Sequence, residues 1–247
     1  MAEIRRLFFD IEVSFCIGKF WNPSYNTTIS YNQIIKHAQI ICISYKWEGQ
    51  NKVYNLNWDM KQCEKSMLQK FIKIADKADE IVGHNSDRFD IKWIRTRCMF
   101  YRLPMFPKYN SFDTLKFYRS NTKQPSNRLD DIGDYFGIGR KVKNESDLWD
   151  KVVLNNDRKA LKRMVNYCDG DVLLLEKVFK LAKEYSVNKI HATGIKSDCP
   201  ECGSNDIQLC GFNYTAGGSK IQRCKCNVCN KKFQYTPPKI RNSQIKK

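Results

Sequence analysis

Residues 4–13 read "IRRLFFDIEV". Alternation along this stretch puts Phe8, Asp10 and Glu12 on one face of a strand and Leu7, Phe9, Ile11 and Val13 on the other. The strand is strongly apolar and stands first in its domain, so a central place in a sheet is expected. Asp10 and Glu12 then project to the same side, and two carboxylates this close repel unless a cation lies between them. A solvent-facing strand edge would also tolerate the pair, so "DIE" by itself decides nothing.

Working outward, residues 40–47, "IICISYKW", and 52–56, "KVYNL", read as two more strands around the turn "EGQN". A helix is expected over 60–79, with Met60, Cys63, Met67, Phe71, Ile74, Ala75 and Ala78 along its apolar side. "EIVGHN", 80–85, returns to strand, and Ser86 or Asp87 is expected to cap the helix "DRFDIKWIRTRCMFYRL". Shorter helices are expected over 112–119 and 128–136, and a long one from near Asp157 to about Tyr185. The order is three strands, a helix, a strand, then helices. That predicts an α/β domain with a mixed sheet whose early strands form an antiparallel meander.

A net charge of +17 in 247 residues favours polyanionic partners, nucleic acid first, over a merely soluble basic protein. No run of eighteen apolar residues suits a membrane span. The N-terminus lacks a small-residue cleavage pattern, and a cytoplasmic location is the default expectation. Eleven cysteines in such a chain are not read as disulfides. Cys16, Cys42, Cys63, Cys98 and Cys168 sit among apolar neighbours as small hydrophobes. The other six fall between 199 and 229, where "CPEC" and "CNVC" each offer two thiolates. Cys199, Cys202, Cys226 and Cys229 therefore predict one structural tetrahedral Zn²⁺, without which so short a segment has too little core to fold. Cys210 is expected to pack inside. Cys224 is surplus, and His191 is taken as a linker residue.

Two further acidic positions stand out. Asp90 lies just past the strand 80–85, and Phe89 and Ile91 imply a buried flank beside it. Tyr167 and Asp171 are four apart in "NYCDGDVLLLEKV", 166–178, and share one helix face. An unpaired carboxylate buried there would cost several kcal/mol unless a cation compensates. Asp169 points about 200° away and is expected to be solvated or paired with a lysine. Four acids and a tyrosine on three elements suit two divalent cations of the oxygen-preferring kind, Mg²⁺ or Mn²⁺.

"FFDIEVS", "HNSDRFDIKWI" and "YCDGDVLLLEKV" resemble, in order and character, the three motifs of DEDDy-type 3′–5′ exonucleases. They are most similar to the proofreading domain of B-family DNA polymerases and its free-standing phage relatives. "SFDTLKFYR" and "RLDDIGDYFGI" resemble intermediate segments of such domains, and the resemblance spans about residues 4–185. It implies a ribonuclease H-like fold. It also implies that Asp10, Glu12, Asp90 and Asp171 hold the two metals, that Tyr167 orients the attacking water, and that Asn85 contacts the terminal nucleotide. The sister subclass has histidine where this chain has Asn166. The chain is too short to hold a polymerase as well, so a free-standing enzyme is expected, in the host cytoplasm if phage-encoded, with replication or repair proteins as partners.

The segment 15–33 carries Phe20, Trp21, Tyr25 and Tyr31 among polar residues. Base stacking and core packing both account for these aromatics; Trp21, Tyr25 and Phe89 are the substrate-contact candidates beside Asn85. Asp113 reads as a helix-start residue rather than a ligand. "CPECGS" and "QRCKCNVCNKKF" resemble zinc ribbons, including those at the front of insertion-sequence transposases, in which the place of Cys224 is usually aromatic. Lys220, Arg223, Lys225, Lys231, Lys232, Phe233 and Tyr235 would give that ribbon a basic surface with aromatics, for nucleic acid or for protein docking.

The expected organisation is an exonuclease domain over 1–190, a zinc ribbon over 196–236 and a basic, disordered tail over 237–247. The expected activity is release of nucleoside 5′-monophosphates from single-stranded DNA. A ribonuclease of the same mechanism and a non-catalytic nucleic-acid-binding adaptor are the alternatives.

Overall fold

The computed structural model describes residues 4–22, 27–141 and 145–237. The chain divides into two compact units: Arg5–Ala182, and the described residues from Lys183 onward together with Ile4.

The first unit is built on β1 (Arg6–Val13), followed by a small antiparallel pair, β2 (Ile17–Gly18) and β3 (Ile34–Lys36). Next come β4 (Ile40–Trp47), β5 (Tyr54–Asn57), α1 (Lys65–Ala75), β6 (Glu80–Gly83), α2 (Asp90–Tyr101) and β7 (Ser111–Asp113). Helices α3 (Thr114–Asn121), α4 (Leu129–Tyr135), α5 (Leu148–Val153) and α6 (Arg158–Glu184) complete it. The main sheet has the order β5-β4-β1-β6-β7, with β4 antiparallel and β6 parallel to β1. β1 is central, as its two apolar faces require. Leu7, Phe9 and Ile11 join Met67, Leu68 and Phe71 of α1 and Ile91, Ile94 and Cys98 of α2 in one core. On the opposite face Phe8 meets Phe179 edge-on at 5.3 Å, within a core that includes Val82, Phe112 and the α6 residues Val172, Leu175 and Val178.

The register of α6 on the sheet is set by polar contacts. Asp169 and Glu176, seven apart, share a helix face; Ser44 and Lys46, two apart, share a face of β4. Ser44 Oγ donates to Asp169 at 2.6 Å, and Lys46 pairs with the buried Glu176. Asp169 is half-buried and pairs with no lysine among the described residues: it is aimed at the adjacent strands, where Asn55 also donates to it at 3.4 Å. Asp157 starts the helix by accepting the amides of Lys159 and Ala160 at 2.7 and 3.1 Å.

Several sequence boundaries move for physical reasons. The helix expected over 60–79 runs only Lys65–Ala75, and Met60 is exposed. Asp59 accepts the amides of Lys61 and Cys63 at 2.8 and 2.9 Å, and Gln62 has φ of 56°, so the chain turns before it coils. Glu64, fully buried, is held by Arg97 and the Ile40 amide. The expected helix over 112–119 begins with a short strand, β7, that pairs with β6. Cys16 is exposed rather than packed, and Phe20, Trp21 and Tyr31 are exposed as well. Tyr25 lies outside the described residues, as does the tail 238–247.

The second unit is a three-stranded antiparallel sheet of β8 (Ile207–Tyr214), β9 (Lys220–Cys226) and β10 (Lys232–Tyr235), with β9 in the middle. A bulge between Leu209 and Phe212 carries Cys210 on the outer strand, where it is exposed rather than packed inside. No helix among the described residues is long and apolar enough to cross a membrane.

Candidate functional site

Asp10 and Glu12 leave β1 on the face toward α6, which contributes Tyr167 and Asp171. Asp90 arrives by a tight reversal. Gly83 ends β6 where an added Cβ would lie 2.4 Å from Ser86 Cβ, so the chain folds back closely on the strand end. Asn85 takes a left-handed φ of 62°, a conformation that asparagine tolerates better than most residues. Its amide and that of Asp87 donate to the Asp113 carboxylate at 2.9 and 3.2 Å. This clamp, with Asp113 also N-capping α3, makes 85–89 a separate turn and starts α2 at Asp90. Neither Ser86 nor Asp87 caps the helix. The Ser86 hydroxyl is enclosed, and the Asp87 carboxylate accepts from Ser111 and Lys116 at 2.6 and 2.9 Å.

The acids that result lie in one another's field. Burial, then the charge of Asp171, pushes Asp10 up to about 7. Burial, then Asp10, Asp171 and Asp90, pushes Glu12 up to about 9. Burial and Asp10 raise Asp90 well above the carboxylate range, and burial raises Asp171 against the opposing Lys141. Burial, then the charge of Asp171, pushes the Tyr167 phenol up to about 12.

One cation among the described residues stands within this group. Lys141 Nζ lies 2.6 Å from Asp171 Oδ2 and 5.5 Å from the centre of the Tyr167 ring. Its own amide is held by Asp130 at 2.6 Å. The other oxygen, Asp171 Oδ1, is buried with no hydrogen-bond partner among the described residues. A shortage of positive charge and an orphaned carboxylate oxygen are what divalent cations would remedy, so the donor set fits them. The Cys168 thiol reaches the Asp10 carbonyl and carboxylate at 3.4 and 3.7 Å. Trp149 donates to the Val13 carbonyl at 3.1 Å and meets the Tyr167 ring edge-on at 6.5 Å. Lys141, Cys168 and Trp149 carried no site signal in the sequence. Lys141 is one of several basic residues in "GRKVK", Cys168 read as a small hydrophobe, and Trp149 drew no reading.

Asn85 is thus at the turn beside Asp90. Phe89, predicted to be part of a buried flank, is 42% exposed and lies 6.3 Å from the Trp93 ring, while Ile91 is buried. Trp21 is 98% exposed.

The raised carboxylates have a consequence for stability. Asp10 and Glu12 rise from ordinary values of 3.8 and 4.5 to about 7 and about 9, so the metal-free folded state holds more protons than the unfolded state across that window. Its stability therefore falls as pH rises from near 4 to near 9, by up to about 1.4 kcal/mol per pH unit for each excess proton. Millimolar MgCl₂ should raise the melting temperature strongly at the alkaline end and little at the acid end. An equal rise at both ends would count against a cation held by these acids.

In the second unit the two C-x-x-C turns repeat one geometry. The amides of Gly203 and Asn230 donate to the carbonyls of Cys199 and Cys226 at 2.9 and 3.0 Å, with left-handed φ of 70° and 61°. Glycine and asparagine are the residues that adopt that φ most readily. Cys199 Sγ lies 3.5 Å from Cys229 and Cys202 Sγ 3.6 Å from Cys226, and all four sulfurs fall within 4.8 Å of one another. Tetrahedral Zn²⁺ with bonds of about 2.3 Å needs edges of about 3.8 Å, so the group fits a zinc ribbon. Burial raises the Cys226 thiol, but the amides of Cys229 and Val228 outweigh it and hold the thiol below its ordinary value. Cys224 is buried outside the group. His191 is outside it too, its Nδ1 accepting from the amides of Thr193 and Gly194 at 3.4 and 3.2 Å. Lys231, expected on a basic surface, is buried and donates to the carbonyls of Lys183 and Ser186 at 2.5 and 2.8 Å.

The RNase H superfamily model matches residues 27–183, more than half of the chain. The chain belongs to the RNase H superfamily. The five-stranded sheet with an antiparallel second long strand and helices on both faces is a ribonuclease H-like fold. β1, with Asp10 and Glu12, lies before the matched span of the superfamily model. In fold the chain is similar to the family B DNA polymerase from the hyperthermophilic archaeon Pyrobaculum calidifontis. The TM-score is 0.56 at 16% identity, over 74% of this chain and 25% of that one. The chain thus matches about a quarter of the polymerase. No curated protein matches the sequence. Superfamily membership supports a nuclease-type function with a nucleic-acid substrate and divalent metals.

Proposed function

We propose that the chain is a metal-dependent 3′–5′ exonuclease that releases nucleoside 5′-monophosphates from single-stranded DNA. The observation that carries this reading is the convergence of acids from three elements: Asp10 and Glu12 offer oxygens within 4.8 Å of each other on β1, Glu12 lies in the field of Asp90 and Asp171, and Asp171 and Tyr167 of α6 both stand against Lys141. In this reading those four acids hold two Mg²⁺ or Mn²⁺ ions, and Cys199, Cys202, Cys226 and Cys229 hold one Zn²⁺. Divalent cations at such a site make water a better nucleophile and stabilise the leaving oxygen of a phosphodiester. The Tyr167 hydroxyl, protonated at neutral pH, orients the attacking water. Lys141 balances part of the negative charge until cations arrive. Asn85 and the exposed edge of Phe89 contact the terminal nucleotide, and Trp21 and Tyr25 stack on unpaired bases. The choice of DNA over RNA rests on the motif resemblance to proofreading domains.

The test is a time course on 5′-labelled single-stranded DNA, duplex DNA and RNA with Mg²⁺ or Mn²⁺. Expected are a ladder that shortens from the 3′ end, mononucleotide product, and arrest by a 3′-terminal block. Internal cuts alone, or no cleavage of any substrate with either metal, would overturn the reading. Tyr167→Phe removes only the hydroxyl. It should lower kcat on the order of 10²-fold while leaving oligonucleotide affinity nearly unchanged, since misplacing a nucleophile slows the chemical step rather than binding. An unchanged kcat would remove the role given to Tyr167.

A further inference from the structure

We propose that the C-terminal unit carries its own binding site for single-stranded nucleic acid, in the cleft lined by Tyr185, His191, Arg223, Lys232, Phe233 and Tyr235. The cleft has a volume of about 880 Å³, within the range of pockets that enclose a small molecule, so it admits a nucleotide or two rather than a folded domain.

Phe233 and Tyr235 are two apart on β10 and share a face at a spacing of about 7 Å. Successive bases of an extended strand stack on aromatics presented this way, without regard to sequence. Tyr185 adds a third ring, 74% exposed. Arg223, Lys232 and Lys196 line the cleft against one acid, Glu184. A 3.1 Å bond from the Arg223 guanidinium to the Cys210 carbonyl holds it at the wall, and the fork has further donors for a phosphate. His191 accepts two amides on Nδ1, which puts the ring proton on Nε2. That donor is enclosed with no partner among the described residues. A buried donor without an acceptor is costly, and phosphate and base oxygens are acceptors. Stacking rings, an arginine held at the wall and an unanswered donor together favour nucleic acid over an acidic peptide, which would use the charges alone.

The inference rests on the nuclease reading only for the class of ligand. The test uses the full chain carrying Asp10→Asn to prevent turnover, and follows fluorescein-labelled oligo-dT and oligo-U by anisotropy, with bound zinc measured in every variant. Tyr235→Ala should weaken binding about 5- to 150-fold, the loss of one stacked base. Lys232→Gln, at an exposed position, should reduce the slope of log K against log salt by about 0.7. The same two changes in the otherwise wild-type chain should leave hydrolysis of bis(p-nitrophenyl) phosphate unchanged. Loss of binding in a protein that cleaves nothing would sink the nuclease reading and keep this one. If Tyr235→Ala sheds zinc, Lys232→Gln decides. Unchanged affinity and salt slope in zinc-replete Lys232→Gln, or equal competition by polyglutamate, overturns the proposal.

Discussion

Asp171→Ala should reduce cleavage on the order of 10³-fold or more, and Asp10→Ala should do the same. Asp171 is 2% exposed, with one oxygen against Lys141 and the other without a partner among the described residues. Burial, and after it the charge of Asp171, raises Asp10, so the two belong to one charge cluster. On the proposed reading, removing either acid takes away a cation ligand that no neighbour among the described residues replaces. Asp171→Asn keeps the volume and removes the charge, so it separates chemistry from packing. It should be as inactive as the alanine variant while remaining folded. The double variant should lose little more than either single one, as groups that act as a unit do. Asp169→Ala is the control on the same helix. Its carboxylate is engaged with Ser44, so the change should cost about 1 kcal/mol of stability and leave cleavage within a few-fold. Single-turnover rates on labelled DNA, with melting curves for each variant, make the comparison. Substantial activity in folded Asp171→Asn would end the assignment of Asp171.

Cys226→Ser should release the bound zinc and unfold the ribbon. Among the described residues from 191 to 237, the buried ones are Cys199, Pro200, Cys224, Cys226 and Lys231. That is too little apolar surface to hold three strands together, so a metal held by the four thiolates would in effect be the core. A structural Zn²⁺ contributes roughly 10–16 kcal/mol in small domains, and one missing thiolate forfeits most of it. Hydrogen exchange should show lost protection over 207–214, 220–226 and 232–235, with the amides of β1, β4 and α6 unaffected. Cys224→Ser and Cys210→Ser should keep full zinc, because neither sulfur is in the four-sulfur group. Zinc analysis reads all three, and a full complement in Cys226→Ser would refute the ligand set.

Much of this could be read before the structure, and the parts that could not share one physical cause. The alternation of "LFFDIEV" placed Asp10 and Glu12 on one face, and helical spacing placed Tyr167 and Asp171 on another. The two C-x-x-C turns announced themselves because their geometry is local, closed within five residues by Gly203 and Asn230. These signals depend on periods of two or 3.6 residues, or on contacts along a few residues of chain.

What tertiary structure alone decided depends on partners far away in sequence. Asp113 clamps a turn some 26 residues earlier and so moves the start of α2 to Asp90, past both expected caps. β7 is a strand because β6 offers an edge to pair with, although its residues lead directly into a helix. Asp169 meets Ser44 because β4 lies beside β1, with Ser44 directly across from Asp10, so its side of α6 also rests on the sheet. Lys141 enters the acidic cluster from a loop whose sequence is merely basic. By itself, then, the sequence determined which residues carry charge or thiol and which way each points from its own element. Which charges come to share a space, and so which pKa values rise and where cations are needed, only the packing of distant elements could decide. Electrostatic energy follows separation in space, and a linear sequence records separation along the chain.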